Sequence, residues 1–262
     1  MIRRVGRSLV WRLAPRVGFA VYEPSFEHRE HLDALTTYQE DPRPIRDKRP
    51  TTATGDVPDL TITVEGLADA LSGRDRTELR VLEVGPKYGI HALWIDRELA
   101  PAELVFCDLP YDRVRHEEWS AELGSPHRFV YADLASADEL LRLPPFDLVF
   151  FLGVLYHSIH HLPLLAMLNR VTKQGGTMLF ETTVDSRPDA LVRLRWPENG
   201  KAKGVPSIQA VRLELAWTGW RKVRRFTGYR SDTSEALFLC EKTDELREGA
   251  DLADIVTPHR PR

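Results

Sequence analysis

Cysteine is scarce, with Cys107 and Cys240 the only two in 262 residues. Each sits inside an apolar, strand-like run, and neither has partners at metal-binding spacing. A disulfide framework and a zinc module are therefore excluded, and the pair reads as buried thiols suited to a reducing cytoplasm. Long hydrophobic runs are missing as well, since no apolar stretch reaches the about 20 residues of a membrane span. The N-terminus opens on arginines as an export signal does, but Arg12, Pro15 and Arg16 interrupt its apolar part, which argues against export. Neither sign of charge dominates: the formal charge of −3 removes a global electrostatic case for nucleic acid or membrane.

What charge there is lies unevenly. Residues 1–16 hold Arg3, Arg4, Arg7, Arg12 and Arg16 with no acid, and residues 2–14 fit a basic amphipathic helix with Ile2, Val5, Leu9 and Leu13 on one side. That helix either docks on the protein's own surface or makes a weak membrane-surface contact. Between 187 and 230, Arg187, Arg193, Arg195, Lys203 and seven further basic side chains face only Asp189, Glu198 and Glu214. Such a region reads either as a solvated face or as a surface for an anionic substrate.

At 42 % apolar residues the chain can bury one sizeable core. Pro, Thr and charge crowd the stretch from Glu40 to Asp59, which can be neither regular helix nor central strand. The expected organisation is an N-terminal extension with a Pro-rich linker or lid (1–59), one catalytic-type domain (60–242) and a flexible charged tail (243–262). Within the domain, helix is expected at Thr63–Leu71. Strands are then expected at 79–84, 103–108, 127–132, 146–152 and 177–183, with helices at 89–99, 111–123, 136–142 and 161–172. That alternation predicts a mostly parallel sheet covered on both faces. Residues 184–205, broken by Pro188, Pro197, Asn199-Gly200 and Gly204, read as an irregular insertion. A helix from Pro206 to Gly219 and an antiparallel pair at 221–227 and 235–241 complete the pattern.

The densest local signal is Val81-Leu82-Glu83-Val84-Gly85-Pro86-Lys87-Tyr88-Gly89, a strand that runs through an acid into a turn bounded by two glycines and then into a helix. Glycine lets backbone approach a ligand closely, and the helix N-terminus offers free N–H groups. Asp108 ends the next strand, 23 residues after Gly85, the interval at which a carboxylate meets ribose hydroxyls in dinucleotide folds. A nicotinamide site would want Gly-x-Gly-x-x-Gly, and Gly85 to Gly89 lacks that spacing. Pro86 and Lys87 depart from the small residues usual in such turns.

Taken in order, these segments resemble the class I S-adenosylmethionine-dependent methyltransferases. The resemblance covers roughly residues 60–241. It implies a Rossmann-like α/β fold whose mostly parallel seven-stranded sheet ends in an antiparallel C-terminal hairpin, with helices on both faces. It also implies S-adenosyl-L-methionine as cofactor. Glu83, Gly85, Pro86, Lys87, Tyr88 and Gly89 would lie against its methionine moiety, and Asp108 with Leu109 at the ribose. Asp133 with Leu134 would reach the adenine, and Gly153 would floor the pocket. Gly153-Val154-Leu155-Tyr156-His157, Leu179-Phe180-Glu181-Thr182, Pro206-Ser207 and Trp217-Thr218-Gly219-Trp220 are similar to the tRNA wobble-uridine carboxymethyltransferase branch. No counterpart of that branch's Trp-Arg-Lys-Gly segment precedes Glu83, so ordinary methyl transfer to a small molecule or glycan, at oxygen, is expected. A tRNA-modifying enzyme and a non-catalytic binding protein of the same fold are the alternatives.

Methyl transfer to a hydroxyl needs alignment, exclusion of water and a proton acceptor. His157 follows the fourth strand at the carboxyl edge of the sheet and is the first candidate base, with His160 and His161 behind it. Tyr156 would pack beside the transferred group, and Lys87, Arg187 or Arg195 would meet an anionic acceptor.

Overall fold

The computed structural model describes residues 19–21, 37–45, 71, 75–195, 203–229 and 234–242. The expected helices at 2–14 and 63–70 and the charged tail lie outside these residues. Eleven strands are described: β1 (Phe19–Val21), β2 (Thr37–Ile45), β3 (Arg80–Val84), β4 (Glu103–Asp108), β5 (His127–Tyr131), β6 (Phe146–Leu152), β7 (Thr172–Thr183), β8 (Leu191–Arg195), β9 (Lys203–Pro206), β10 (Trp220–Tyr229) and β11 (Glu235–Lys242). The α-helices are α1 (Ile90–Leu99), α2 (Arg113–Ser120), α3 (Asp138–Leu141), α4 (His161–Val171) and α5 (Ile208–Trp217).

The main sheet has the order β2-β10-β11-β7-β6-β3-β4-β5. Strand β11 alone runs against its neighbours, pairing antiparallel with both β7 and β10. Strand β3 sits at the centre between β4 and β6. The strand order reverses there, and in open α/β sheets ligands bind outside the carboxyl ends at such a point. Alternate residues of one strand serve two cores. Leu82, Val105, Val149, Phe151 and Phe180 meet Leu165, Leu168, Val211 and Leu215 of α4 and α5 on one face. Val81, Leu104, Phe106, Leu148 and Phe150 meet Trp94, Ile95 and Leu99 of α1 and Trp119 of α2 on the other. This double burial is why the central strands read as unbroken apolar runs.

Two expectations are corrected. The sheet has eight strands, not seven. The eighth is β2, which pairs in parallel with β10 at the edge. Its prolines are tolerated because an edge strand needs ladder bonds on one side only, and the register slips by one residue between Asp41 and Pro44, where Pro42 falls. Glu40 accepts from Arg225 Nη1 at 3.4 Å, and the Arg212 guanidinium lies 4.1 Å from the Tyr38 ring centre.

The second correction concerns residues 184–205, read as irregular. Strands β8 and β9 pair antiparallel, and β1 joins them in a separate three-stranded sheet. Ser207 closes this piece onto α5: its hydroxyl accepts from Ala210 N at 3.2 Å as the helix N-cap and donates to Asp189 O. The small sheet is seated on the main one through Gly204, whose N–H donates to Ser158 O at 3.0 Å. A Cβ at Gly204 would stand 2.7 Å from Ser158 O and 2.8 Å from His161 Nε2.

Gly204→Ala must therefore push the hairpin off the loop after β6. Overpacking of this kind costs on the order of 1–3 kcal/mol, so scanning calorimetry should show a melting temperature lower by several degrees. An unchanged melting temperature would show that the close seating is not a constraint.

Candidate active site

The turn between β3 and α1 is held from several sides. Gly85 N–H donates to Cys107 O at 2.9 Å, and Gly89 N–H donates to Pro86 O at 2.8 Å. Both glycines have left-handed backbone, φ 70° and 71°. A Cβ at Gly85 would come 2.8 Å from the Val154 side chain, and one at Gly89 would enter the Trp119 ring at 2.3 Å. Pro86 is buried, while Lys87 is exposed with φ 45°, a left-handed conformation that costs a non-glycine residue about 1–2 kcal/mol. Tyr88 is exposed between two cations, Lys87 Nζ at 4.9 Å and the Arg115 guanidinium at 4.7 Å from its ring centre.

Glu83 is buried at the carboxyl end of β3, 2 % exposed. Its Oε1 lies 3.6 Å from His91 Nδ1 on α1, and its Oε2 has no hydrogen-bond partner. A buried carboxylate oxygen without a donor is costly, and such a group is retained where a ligand supplies the donor. Asp108 ends β4 with Oδ1 accepting from Leu109 N at 2.7 Å. Ala132 N donates to Asp108 O at 3.0 Å, which brings the end of β5 alongside. Asp133 follows exposed, and Leu134 is buried behind it.

Beyond β6, Gly153 takes φ 71° and donates to Glu181 O at 3.1 Å. Leu155 anchors a short 3-10 turn in the core and lets Tyr156 and His157 project, their ring centres 4.2 Å apart. His157 is exposed and Tyr156 half-buried, with Lys203 Nζ of β9 5.6 Å from the Tyr156 ring centre. The structure thus gathers the candidate residues along the carboxyl ends of β5, β4, β3 and β6. It also adds Glu181, 3 % exposed, whose Oε1 would be 3.8 Å from a Cβ at Gly153. An acid closing the apolar run Met178-Leu179-Phe180 was the available signal for Glu181.

Two secondary candidates are placed elsewhere. His161 is no base: it is buried against Glu214, Nδ1 to Oε1 3.1 Å, while Nε2 donates towards Ser158 O and Gly204 O, each at 3.1 Å. Burial alone would push its pKa down, but Glu214 and the two carbonyls hold it above the usual imidazole value. Arg187 is committed to Asp185, with Nε 2.7 Å from Oδ1, and Arg193 Nε lies 3.0 Å from Oδ2. Those contacts, the Arg187 hydrogen bond first, hold Asp185 down to about 2. The Arg195 side chain lies outside the described residues. Burial, and then the neighbouring Asp108, pushes the Cys107 thiol up to about 12, so it is inert as a nucleophile.

With this geometry, the family can be settled by comparison. A family model described as a methyltransferase domain matches residues 63–236. The chain belongs to that family. It is a class I S-adenosylmethionine-dependent methyltransferase near the wobble-uridine branch. Curated relatives include the tRNA U34 carboxymethyltransferases of Psychromonas ingrahamii, 26 % identical over 69 % of this chain and 54 % of that protein, and of Actinobacillus succinogenes, 30 % identical over 71 % and 56 %. The chain spans about half the length of these relatives. Among solved structures, the CurJ carbon methyltransferase superposes with TM-score 0.57 at 13 % identity, covering 70 % of this chain and 54 % of that one. The N-terminal domain of EvdMO1 with S-adenosylhomocysteine bound gives 0.54 at 14 %, covering 84 % and 98 %. At these identities the superpositions establish the fold.

The buried pair has a pH signature. A raised pKa in the folded state means that the contribution of His161 is complete below its unfolded value near about 6.5 and is lost as pH rises through the folded one. The stability of the wild type relative to a His161→Gln, Glu214→Gln double variant should therefore fall as pH rises above the ordinary imidazole value, measured by chemical denaturation. A constant difference would mean that the imidazole is not held charged.

Proposed function

We propose that the domain transfers a methyl group from S-adenosyl-L-methionine to a small-molecule or glycan acceptor, with oxygen as the accepting atom. The observation that carries the reading is the unpartnered Oε2 of Glu83 beside a turn whose two glycines leave no room for a Cβ. A cationic amino group, such as that of the cofactor's methionine moiety, is the donor such an oxygen lacks. Asp108 with Leu109 would hold the ribose, and Asp133 with Leu134 the adenine. Gly85, Gly89 and Gly153 would let the backbone close on the ligand.

When bound, the cofactor supplies an electrophilic methyl group, so the chain's own residues have three tasks. His157 would take the proton of the acceptor hydroxyl as the new bond forms. Tyr156 would wall the reacting centre and help to exclude water. Lys203, beside Tyr156, would favour an acceptor carrying negative charge.

A second reading, an RNA acceptor, is supported by the 26–31 % identity to tRNA-modifying relatives and by the exposed Lys87 and Tyr88 with the half-buried Arg115 beside them. Stacking on an aromatic between cations suits single-stranded bases. Salt dependence separates the two readings, because phosphate contacts weaken steeply as salt rises.

S-adenosylhomocysteine at 100 times its dissociation constant should stabilise the wild type by about 2.7 kcal/mol, read as a thermal shift. Glu83→Gln should keep or raise the ligand-free melting temperature while weakening S-adenosylhomocysteine about tenfold or more, because a neutral amide is cheaper to bury and poorer for a cation. His157→Ala should bind S-adenosylhomocysteine as the wild type does and lose turnover by about 10²–10⁴-fold with any identified acceptor. No thermal shift in the wild type would remove the cofactor reading, and normal turnover in His157→Ala would remove the base.

A further inference from the structure

Helix α2 carries an ionisable ring in the core. His116 is 0 % exposed and lies flat on Phe129, ring centres 5.2 Å apart and planes within 9°, and on Tyr131 at 5.9 Å and 13°. The Trp119 ring meets it nearly edge-on at 5.8 Å, and the Arg113 guanidinium covers Tyr131 at 4.6 Å. Such a stack needs only an apolar ring. Phenylalanine would fill it without taking two ring nitrogens out of water.

Neither nitrogen of His116 has an aligned hydrogen bond. The ring does have one charged neighbour: Nε2 lies 3.3 Å from Oδ2 of Asp108, the acid that ends β4. Its Oδ1 accepts from Leu109 N at 2.7 Å. Each oxygen of an ionised carboxylate has about two lone-pair sites, so a backbone N–H on one and an imidazole N–H on the other would fix the plane of the group and still leave acceptors outward. Distances of this kind in ligand-free sites tighten when the ligand completes the network.

We propose that His116 is a positioning residue for cofactor capture: through Nε2 it holds the Asp108 carboxylate in the orientation that accepts both ribose hydroxyls. The inference rests on the reading of Asp108 as the ribose partner. It explains why a histidine occupies an aromatic stack, and why that stack lies directly beneath the end of β4. Asp108 sits on a strand that fixes its backbone, and Leu109 N and His116 Nε2 stand against the two oxygens of its side chain.

The test is calorimetric titration of the full chain with S-adenosylhomocysteine and with its 2′-deoxy counterpart. His116→Phe should keep or raise the melting temperature, weaken S-adenosylhomocysteine about tenfold, and weaken the 2′-deoxy ligand, which keeps only the 3′-hydroxyl, by a smaller factor. In an Asp108→Asn background the same substitution should be nearly silent. His116→Gln, which keeps an N–H at similar reach, should bind close to wild type, and His116→Leu should resemble His116→Phe. Wild-type affinity in His116→Phe with a weakened Asp108→Asn, or equal affinities for the Gln and Leu variants, would overturn the role of His116 and leave Asp108 standing. Undiminished affinity in Asp108→Asn would overturn the ribose reading itself and the inference with it.

Discussion

The carboxyl edge of this sheet depends on how closely three backbone segments approach one another around the turn from Gly85 to Gly89. Val154 on one side and Trp119 on the other leave no room for a Cβ at either glycine. The Gly85 N–H is bound to Cys107 O of the neighbouring strand. That compression sets the end of β3 against the loop after β6 and against α2 at once. Glu83, Asp108 and the Tyr156-His157 pair are thereby held at neighbouring strand ends. Lys87 bears part of the strain, in a left-handed conformation that its exposed side chain does not oppose.

A second constraint works from below. The loop Leu155–Ser158 is closed by its own backbone, His157 N donating to Val154 O and Ser158 N to Leu155 O, each at 3.0 Å. It is further tied down by Leu155 in the core and by His161, whose Nε2 side faces two carbonyls, one from that loop and one from β9. Glu214 of α5 raises the pKa of the imidazole, and the three groups join α4, α5 and the small sheet to the loop. A buried ion pair is weak evidence for net stability, because desolvation offsets its attraction. Here it acts as a register device beneath the residues proposed to meet the acceptor.

The basic stretch 187–230 also changes meaning once folded. Arg187 and Arg193 converge on Asp185, Lys222 meets Glu241 at 2.9 Å, and Arg225 meets Glu40. Four of the eight basic side chains described in this stretch are thus paired with acids, which ties the hairpin and the edge strand to the sheet. An anionic acceptor, if that is what the site takes, would rely on Lys203 and on the Lys87 side of the turn rather than on a broad positive face. The arginines were visible in the sequence; their partners were dispersed, and only folding showed which were taken.

The sequence by itself determined the central sheet. Double-sided burial writes continuous apolar runs, strand ends carry acids and glycines, and the helices between them keep their period, so β3 to β7 and α1 to α5 were legible, with the candidates Glu83, Asp108, Asp133 and Gly153 to His157 at the strand ends. Tertiary structure alone decided what local pattern cannot encode. Strand β2 exists because an edge has one free side that tolerates Pro42 and Pro44. Strands β8 and β9 form because they find each other and β1, across a stretch whose composition favours turns. His161 became the buried partner of Glu214, 53 residues away, and His116 the neighbour of Asp108 at the end of β4. Periodicity reports which face of an element is buried; which polar group meets which is set by where separate elements come to lie.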